Sequence, residues 1–204
     1  MEPRKSPKQN RSRQTYQVIL EGAKRIIRRD GMQKLSTNLV AKESGVSIGS
    51  LYQYFPSKEA VVGALIDQAF DVEYQRMKSR IELLSPELGP HQVMREILGN
   101  YFRIEHEDLM YRKALIDLMS SVGKVTQALS FHRIMAELIW THLQTKFKGG
   151  YSADDYDTII FLLTYLLRAA AQASVDEKIK TLNKELLIDE IAGVWLHLLR
   201  IPTT

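Results

Sequence analysis

The chain has 204 residues, 45% of them hydrophobic and 25% charged, with a formal net charge of +4, an ordinary soluble composition long enough for one or two buried cores. It contains no cysteine, which excludes a disulfide scaffold and thiolate metal ligation and fits a reducing cytoplasm best. Residues 1–58 carry twelve Lys or Arg against four Asp or Glu, a net of +8, whereas residues 59–204 carry sixteen against twenty, a net of −4; a basic end on an acidic body fits contact with a phosphate backbone at one end only, although a charge run is as often a plain solvated face.

Residues 1–13 contain Pro3, Pro7 and five Lys or Arg without apolar periodicity, which predicts a flexible basic arm that either tracks DNA or keeps the chain soluble. The same stretch lacks the apolar segment of a secretory signal. A first helix follows, with Tyr16, Ile19, Leu20, Ala23, Ile26 and Ile27 on one stripe and Lys24, Arg25, Arg28 and Arg29 opposite, ending at Asp30-Gly31. From Leu35 to Lys58 two short helices are expected. Ser36 caps the first, Gly45 supplies a left-handed turn residue, and Ser47 caps the second. On that second helix Leu51 and Phe55 are expected to face inward, leaving Ile48, Gly49, Ser50 and Tyr54 outside. A face so small and polar makes a poor core and a good surface for the DNA major groove, the arrangement of a helix-turn-helix.

Pro56-Ser57 and Glu59 open a long helix from Lys58 to about Leu84, with apolar positions Val61, Ala64, Leu65, Val72, Met77, Ile81 and Leu84. Ser85-Pro86 and Gly89-Pro90 break it. Later helices are predicted from His91 to about His106, Asp108 to Met119, Lys124 to Phe147 with Gly149-Gly150 as its stop, Asp154 or Asp155 to Val175, and Asn183 or Lys184 to Arg200. The fold class is therefore all-α, a three-helix head joined by a long helix to a body of the six-helix type. The longest apolar run, Ile159 to Leu167, is half the length of a membrane span and ends at Arg168, so no membrane association is expected. Tyr156 to Ala173 is apolar nearly all round, and Ile188, Ile191, Ala192, Val194, Trp195, Leu198 and Leu199 make a broad face on the last helix. Each is explained equally by a monomer core or by a subunit interface.

The run from Ile26 to Leu65 resembles the N-terminal domain of the tetracycline-repressor (TetR) family of bacterial transcriptional regulators. The resemblance is carried by Gly31, Ser36-Thr37, Ala41, Gly45-Val46-Ser47, the block Leu51-Tyr52-Gln53-Tyr54-Phe55, and Lys58-Glu59. It implies three regions: the arm at 1–13, a DNA-binding domain at 14–58 and a ligand-binding and dimerisation domain at 59–204. It also implies DNA contacts at Thr37, Asn38, Ile48, Gly49, Ser50, Tyr52, Tyr54 and Lys58. Ile48 would meet a thymine methyl, Gly49 would let the backbone approach, and Ser50 would take a base edge. Tyr52, Tyr54 and Lys58 would hold phosphates, with a place in the head's core as the other reading of Tyr52. No Arg, Asn or Gln stands at the first three positions of that helix, so sequence preference falls to Asn38, methyl and hydroxyl contacts, the arm, or DNA shape.

Family members dimerise through their last two helices, and their body takes a small molecule that alters DNA binding. The resemblance thus implies a double-stranded operator, a homodimer through the last two helices and a small-molecule effector as partners, with repressor preferred to activator. Candidate effector-lining residues are Phe102, His106, Met119, Phe131, Trp140, Tyr165 and Arg168, although aromatic and Met residues at helical spacing are more often core than ligand lining. Arg168 interrupts an apolar helix, and a buried guanidinium there needs an anion from a ligand, a body carboxylate or the dimer mate. No cofactor or metal is expected: His91, His106, His132, His142 and His197 form no helical ligand pair, and neither a phosphate loop nor a serine elbow occurs. An enzyme is accordingly not expected. A DNA-binding protein whose body is an interaction module without effector is the alternative, marked by a pocketless body with a large apolar patch.

Overall fold

The computed structural model describes residues 10–103, 106–147 and 155–201. Among them the chain is helical throughout, with nine α-helices: α1 Asn10–Asp30, α2 Thr37–Ser44, α3 Ile48–Tyr54, α4 Lys58–Glu82, α5 Pro90–Phe102, α6 His106–Leu118, α7 Val125–Phe147, α8 Tyr156–Ser174 and α9 Lys184–Leu198. Most of the expected arm, the Gly149-Gly150 stop and Asp154 lie outside the described residues. No helix among the described residues is long and apolar enough to cross a membrane. The chain divides into two compact units, one running to Asp71 and resuming at 105–126, the other made of 72–104 and 127–204.

The first unit is built by its caps. Ser36 accepts from the Leu39 N–H at 3.3 Å and Ser47 from the Ser50 N–H at 3.0 Å, each filling an otherwise orphaned donor of its helix. Between them Gly45 takes φ +67 as the C-cap of α2, a left-handed conformation that a side chain would strain. α1 and α2 close around Gly22, where an added Cβ would lie 2.1 Å from Ser44 Oγ. Ile19, Ile26, Val40, Leu51, Phe55 and Leu65 make one buried cluster, and Leu115 and Val122 belong to it as well. α6 therefore shares a core with α1–α3, whereas the sequence places it with the body; its apolar period alone cannot say which core it completes.

Helix α4 contributes Ala60, Val61 and Leu65 to the first cluster and Met77 and Ile81 to the second. Its expected apolar stripe is interrupted at Val72, which is 54% exposed and falls at the boundary between the units. α5 begins with Pro90 at its first position and with the Gly89 N–H donating to Gln92 Oε1 at 3.0 Å, the local chemistry that favours a start there. It ends at Phe102, with Arg103 as its C-cap, four residues earlier than the periodicity suggests. In the second unit Val93, Ile97, Tyr101, Ile139, Leu163 and Trp195 lie in one buried cluster. Polar ties frame it: Arg95 to Asp189, Arg95 to Glu185 at 2.8 Å, and Arg103 to Glu185 at 2.7 Å join α5 to α9.

Candidate nucleic-acid interface

In α3 the helical period divides the residues into two faces. Leu51, Tyr54 and Phe55 fall at i, i+3 and i+4 and are all buried, while Ile48, Gly49, Tyr52 and Gln53 form the exposed stripe. Tyr54 is a correction to the sequence reading, which put it outside. Its i+3 relation to Leu51 turns it inward, where its ring meets Tyr16 edge-on at 6.3 Å and its hydroxyl lies 3.1 Å from Ser12 Oγ. Tyr52 goes the other way. It is exposed, and its hydroxyl lies 3.2 Å from Thr37 Oγ1, so two of the expected DNA contacts, one from α2 and one from α3, are already paired on the surface.

Asn38 and Lys58 are exposed at the first turns of α2 and α4. Ser50 is half-buried, with its hydroxyl 2.8 Å from Ser47 Oγ, so the capping serine also orients it. A Cβ on Gly49 would meet only Ser47 Oγ, at 3.9 Å, so nothing within the chain requires glycine there. Gln53 is an exposed amide on the same stripe that the motif does not single out, because it stands at the sixth position of α3 rather than among the first three; its signal is the i+4 spacing from Gly49. Beside this face, Glu59 at the start of α4 is held below the usual carboxylate range by its own backbone N–H and by the Ser57 hydroxyl.

The cationic face of α1 is largely spent inside the unit. Arg25 donates to the Glu43 carboxylate at 3.1 Å and to its carbonyl at 2.9 Å, and Arg29 reaches the same carboxylate at 3.3 Å. Arg25, then Arg29, hold Glu43 below its ordinary range. Lys24 and Arg28 lie over the Tyr111 ring of α6, 5.8 and 5.4 Å from its centroid. These cations fix α1 against α2 and α6.

Residues 19–65 match the model for bacterial regulatory proteins of the tetR family. Over that stretch, 47 of the chain's 204 residues, it is similar to the tetR family. Over 66 residues it is 42% identical to the nucleoid occlusion factor SlmA of Actinobacillus pleuropneumoniae serotype 5b, covering 32% of this chain and 31% of SlmA; the similarity thus spans about a third of that relative's length. Over 174 residues it is 24% identical to the HTH-type transcriptional regulator UidR of Escherichia coli K12, covering 81% of this chain and 85% of UidR. In fold it is similar to a putative TetR-family transcriptional regulator from Mesorhizobium loti, with a TM-score of 0.69 and 17% identity over 93% of this chain and 98% of the other.

The fold scatters the residues expected to line an effector pocket. Phe102 and Trp140 are buried in the second unit's cluster, and Phe131 packs against it. Met119 packs in the first unit's cluster instead. Tyr165 is 46% exposed and lies against Phe161, their rings tilted with centroids 4.7 Å apart. Arg168 is exposed within the chain, which corrects the expectation of a guanidinium buried among the chain's own helices. The His106 side chain lies outside the described residues.

Proposed function

We propose that this chain is a ligand-responsive, DNA-binding repressor of transcription that acts as a homodimer on a palindromic operator. The observation that carries the reading is the outer stripe of α3 with its neighbours: Ile48, Gly49, Tyr52 and Gln53 exposed together, and Asn38 and Lys58 exposed at adjoining helix starts. A helix presented in this way fits a major groove. Ile48 takes a thymine methyl, Gln53 and Asn38 take adenine edges, and the Thr37–Tyr52 pair, Ser50 and Lys58 take phosphate or base-edge contacts. The functional division is an arm at 1–13, a reading head at 14–58 and a ligand and dimer body at 59–204.

Dimerisation through α8 and α9 is supported by the apolar side chains these helices leave exposed, Phe161, Leu162 and Tyr165 on one and Leu186 and Val194 on the other. The effector is a small apolar or aromatic molecule, for which Phe102, Phe131 and Trp140 of the second unit offer aromatic lining. The same exposed residues on α8 and α9 also suit a body that is a protein-interaction module without effector. Selection of bound DNA from a random-sequence pool, repeated at two salt concentrations, tests the reading. An enriched palindrome with half-sites about one helical turn apart is expected; binding without enrichment that vanishes as salt rises would leave only a basic surface.

A further inference from the structure

A cleft of about 730 Å³ opens in the second unit between the last turns of α4 and the first turns of α5, within the size range of small-molecule sites. α4 supplies Arg76, Ser79 and Arg80, an i, i+3, i+4 series that lies on one helix face, and Leu83 follows just past its end. α5 supplies Gln92, Arg95 and Glu96, while Leu84 and Leu88 come from the turn that joins the helices. Three guanidiniums against one carboxylate make the walls cationic. The apolar part is Leu83, which is 84% exposed, with Leu84 and Leu88 beside it. None of the residues expected to line an effector pocket lines this cleft.

The cations differ in how far their donors are used. Arg95 is held by Asp189 and Glu185. Arg80 gives Nη1 to Asn100 at 3.0 Å and Nη2 to Glu96 at 2.6 Å, while its Nε is buried without an acceptor. A buried donor of this kind is costly to leave unmade. Arg76, one turn earlier on α4, is exposed and has no ion-pair partner among the described residues. The cleft already receives one carboxylate, that of Glu96 on Arg80, and retains cationic capacity beyond it.

We propose that this cleft binds a small organic anion with an apolar body. Arg76 and Arg80 take the anionic group, and Leu83, Leu84 and Leu88 cover the apolar part. The inference stands on the cleft's own chemistry and does not depend on DNA binding.

The test is a titration of the leucine-methyl-labelled full chain, followed by carbon–proton NMR, with octanoate, acetate and 1-octanol as probes. Octanoate is expected to shift the methyls of Leu83, Leu84 and Leu88, with acetate and octanol each at least about tenfold weaker, because charge and apolar surface are both needed. Arg76→Glu and Leu83→Asp change exposed side chains, so both variants should keep the wild-type melting temperature and lose the octanoate response. Shifts confined to other leucines, such as Leu162 or Leu186, would overturn the proposal. So would octanoate affinity unchanged in both variants, or octanol binding as tightly as octanoate.

Discussion

Glycine inside a helix costs roughly 0.5–1 kcal/mol relative to alanine, and at Gly49 no contact within the chain offsets that cost, since the nearest atom to an added Cβ is Ser47 Oγ at 3.9 Å. Gly49→Ala should therefore raise stability by about that amount in urea unfolding. On the proposed reading the added methyl meets DNA instead, and affinity for the selected operator should fall about tenfold or more, a loss of about 1.4 kcal/mol. A variant that is more stable and binds as tightly would remove Gly49 from the interface. Tyr54 calls for the opposite separation, because its ring and its hydroxyl have different neighbours. Tyr54→Ala strips a buried ring from beside Tyr16 and should cost about 3 kcal/mol. Tyr54→Phe loses only the bond to Ser12, about 1 kcal/mol. If the hydroxyl also holds a phosphate, filter binding of Tyr54→Phe should show a uniform loss across DNA sequences; unchanged binding would make Tyr54 purely a packing residue.

The crossing of α1 and α2 depends on Gly22, where a methyl would come within 2.1 Å of Ser44 Oγ and 3.2 Å of Ser44 Cβ. Overpacking of this kind costs about 1–3 kcal/mol, so Gly22→Ala should lower the melting temperature, and adding Ser44→Ala should restore part of the loss by removing the closer atom. In the second unit, Arg95 and Arg103 hold the carboxyls of Asp189 and Glu185 below their ordinary values, chiefly through hydrogen bonds. A carboxyl depressed in the folded state contributes stability above its unfolded pKa and loses it as pH falls through the folded one. The melting-temperature gap between wild type and Asp189→Asn should thus be widest near neutrality and close as pH drops below about 4. It should be small throughout, because these groups are solvent-screened. A gap that widened in acid would refute the assignment. Such elements were legible in the sequence wherever their chemistry is local: Ser36, Ser47, Gly45 and Pro90 each mark a helix end that the structure places within a residue. What was not legible depends on partners distant in sequence. Leu115 and Val122 have an apolar period that cannot name the core they enter, Arg168 looks buried only if something covers α8, and Val72 keeps the helical spacing of a stripe that the structure leaves exposed. Tyr54 stands at i+3 from Leu51, a spacing compatible with burial, and the Ser12 hydroxyl beside it gives its buried polar end a partner.

The second unit leaves an aromatic pair, Phe161 and Tyr165 with tilted rings 4.7 Å apart, exposed on α8, with Leu162 beside it and Leu186 and Val194 exposed on α9. Within the chain Phe161 gains little from this position, since it is 60% exposed, so replacing it should leave folding of the unit almost unchanged. Aromatic residues concentrate the energy of interfaces when they are buried between subunits. In the proposed homodimer each Phe161→Glu substitution is made in both copies and drives two charges into one apolar surface, which is costly without partners. Sedimentation velocity at micromolar concentration should find wild type as a dimer and Phe161→Glu as a monomer with the wild-type melting behaviour of its separate units. The consequence for DNA follows from linkage of the two heads. A dimer places both on one operator, so the second engages at the high effective concentration set by the first. The monomer loses that gain and should bind the full palindrome about a hundredfold more weakly or worse. Its affinity for an isolated half-site should match that of a single wild-type head. Were Phe161→Glu to remain a dimer, the exposed residues of α8 would belong to contact with a different protein, which is the interaction-module reading. Were it monomeric and still tight on the palindrome, each head would read its half-site alone, and the two-fold arrangement would carry no affinity.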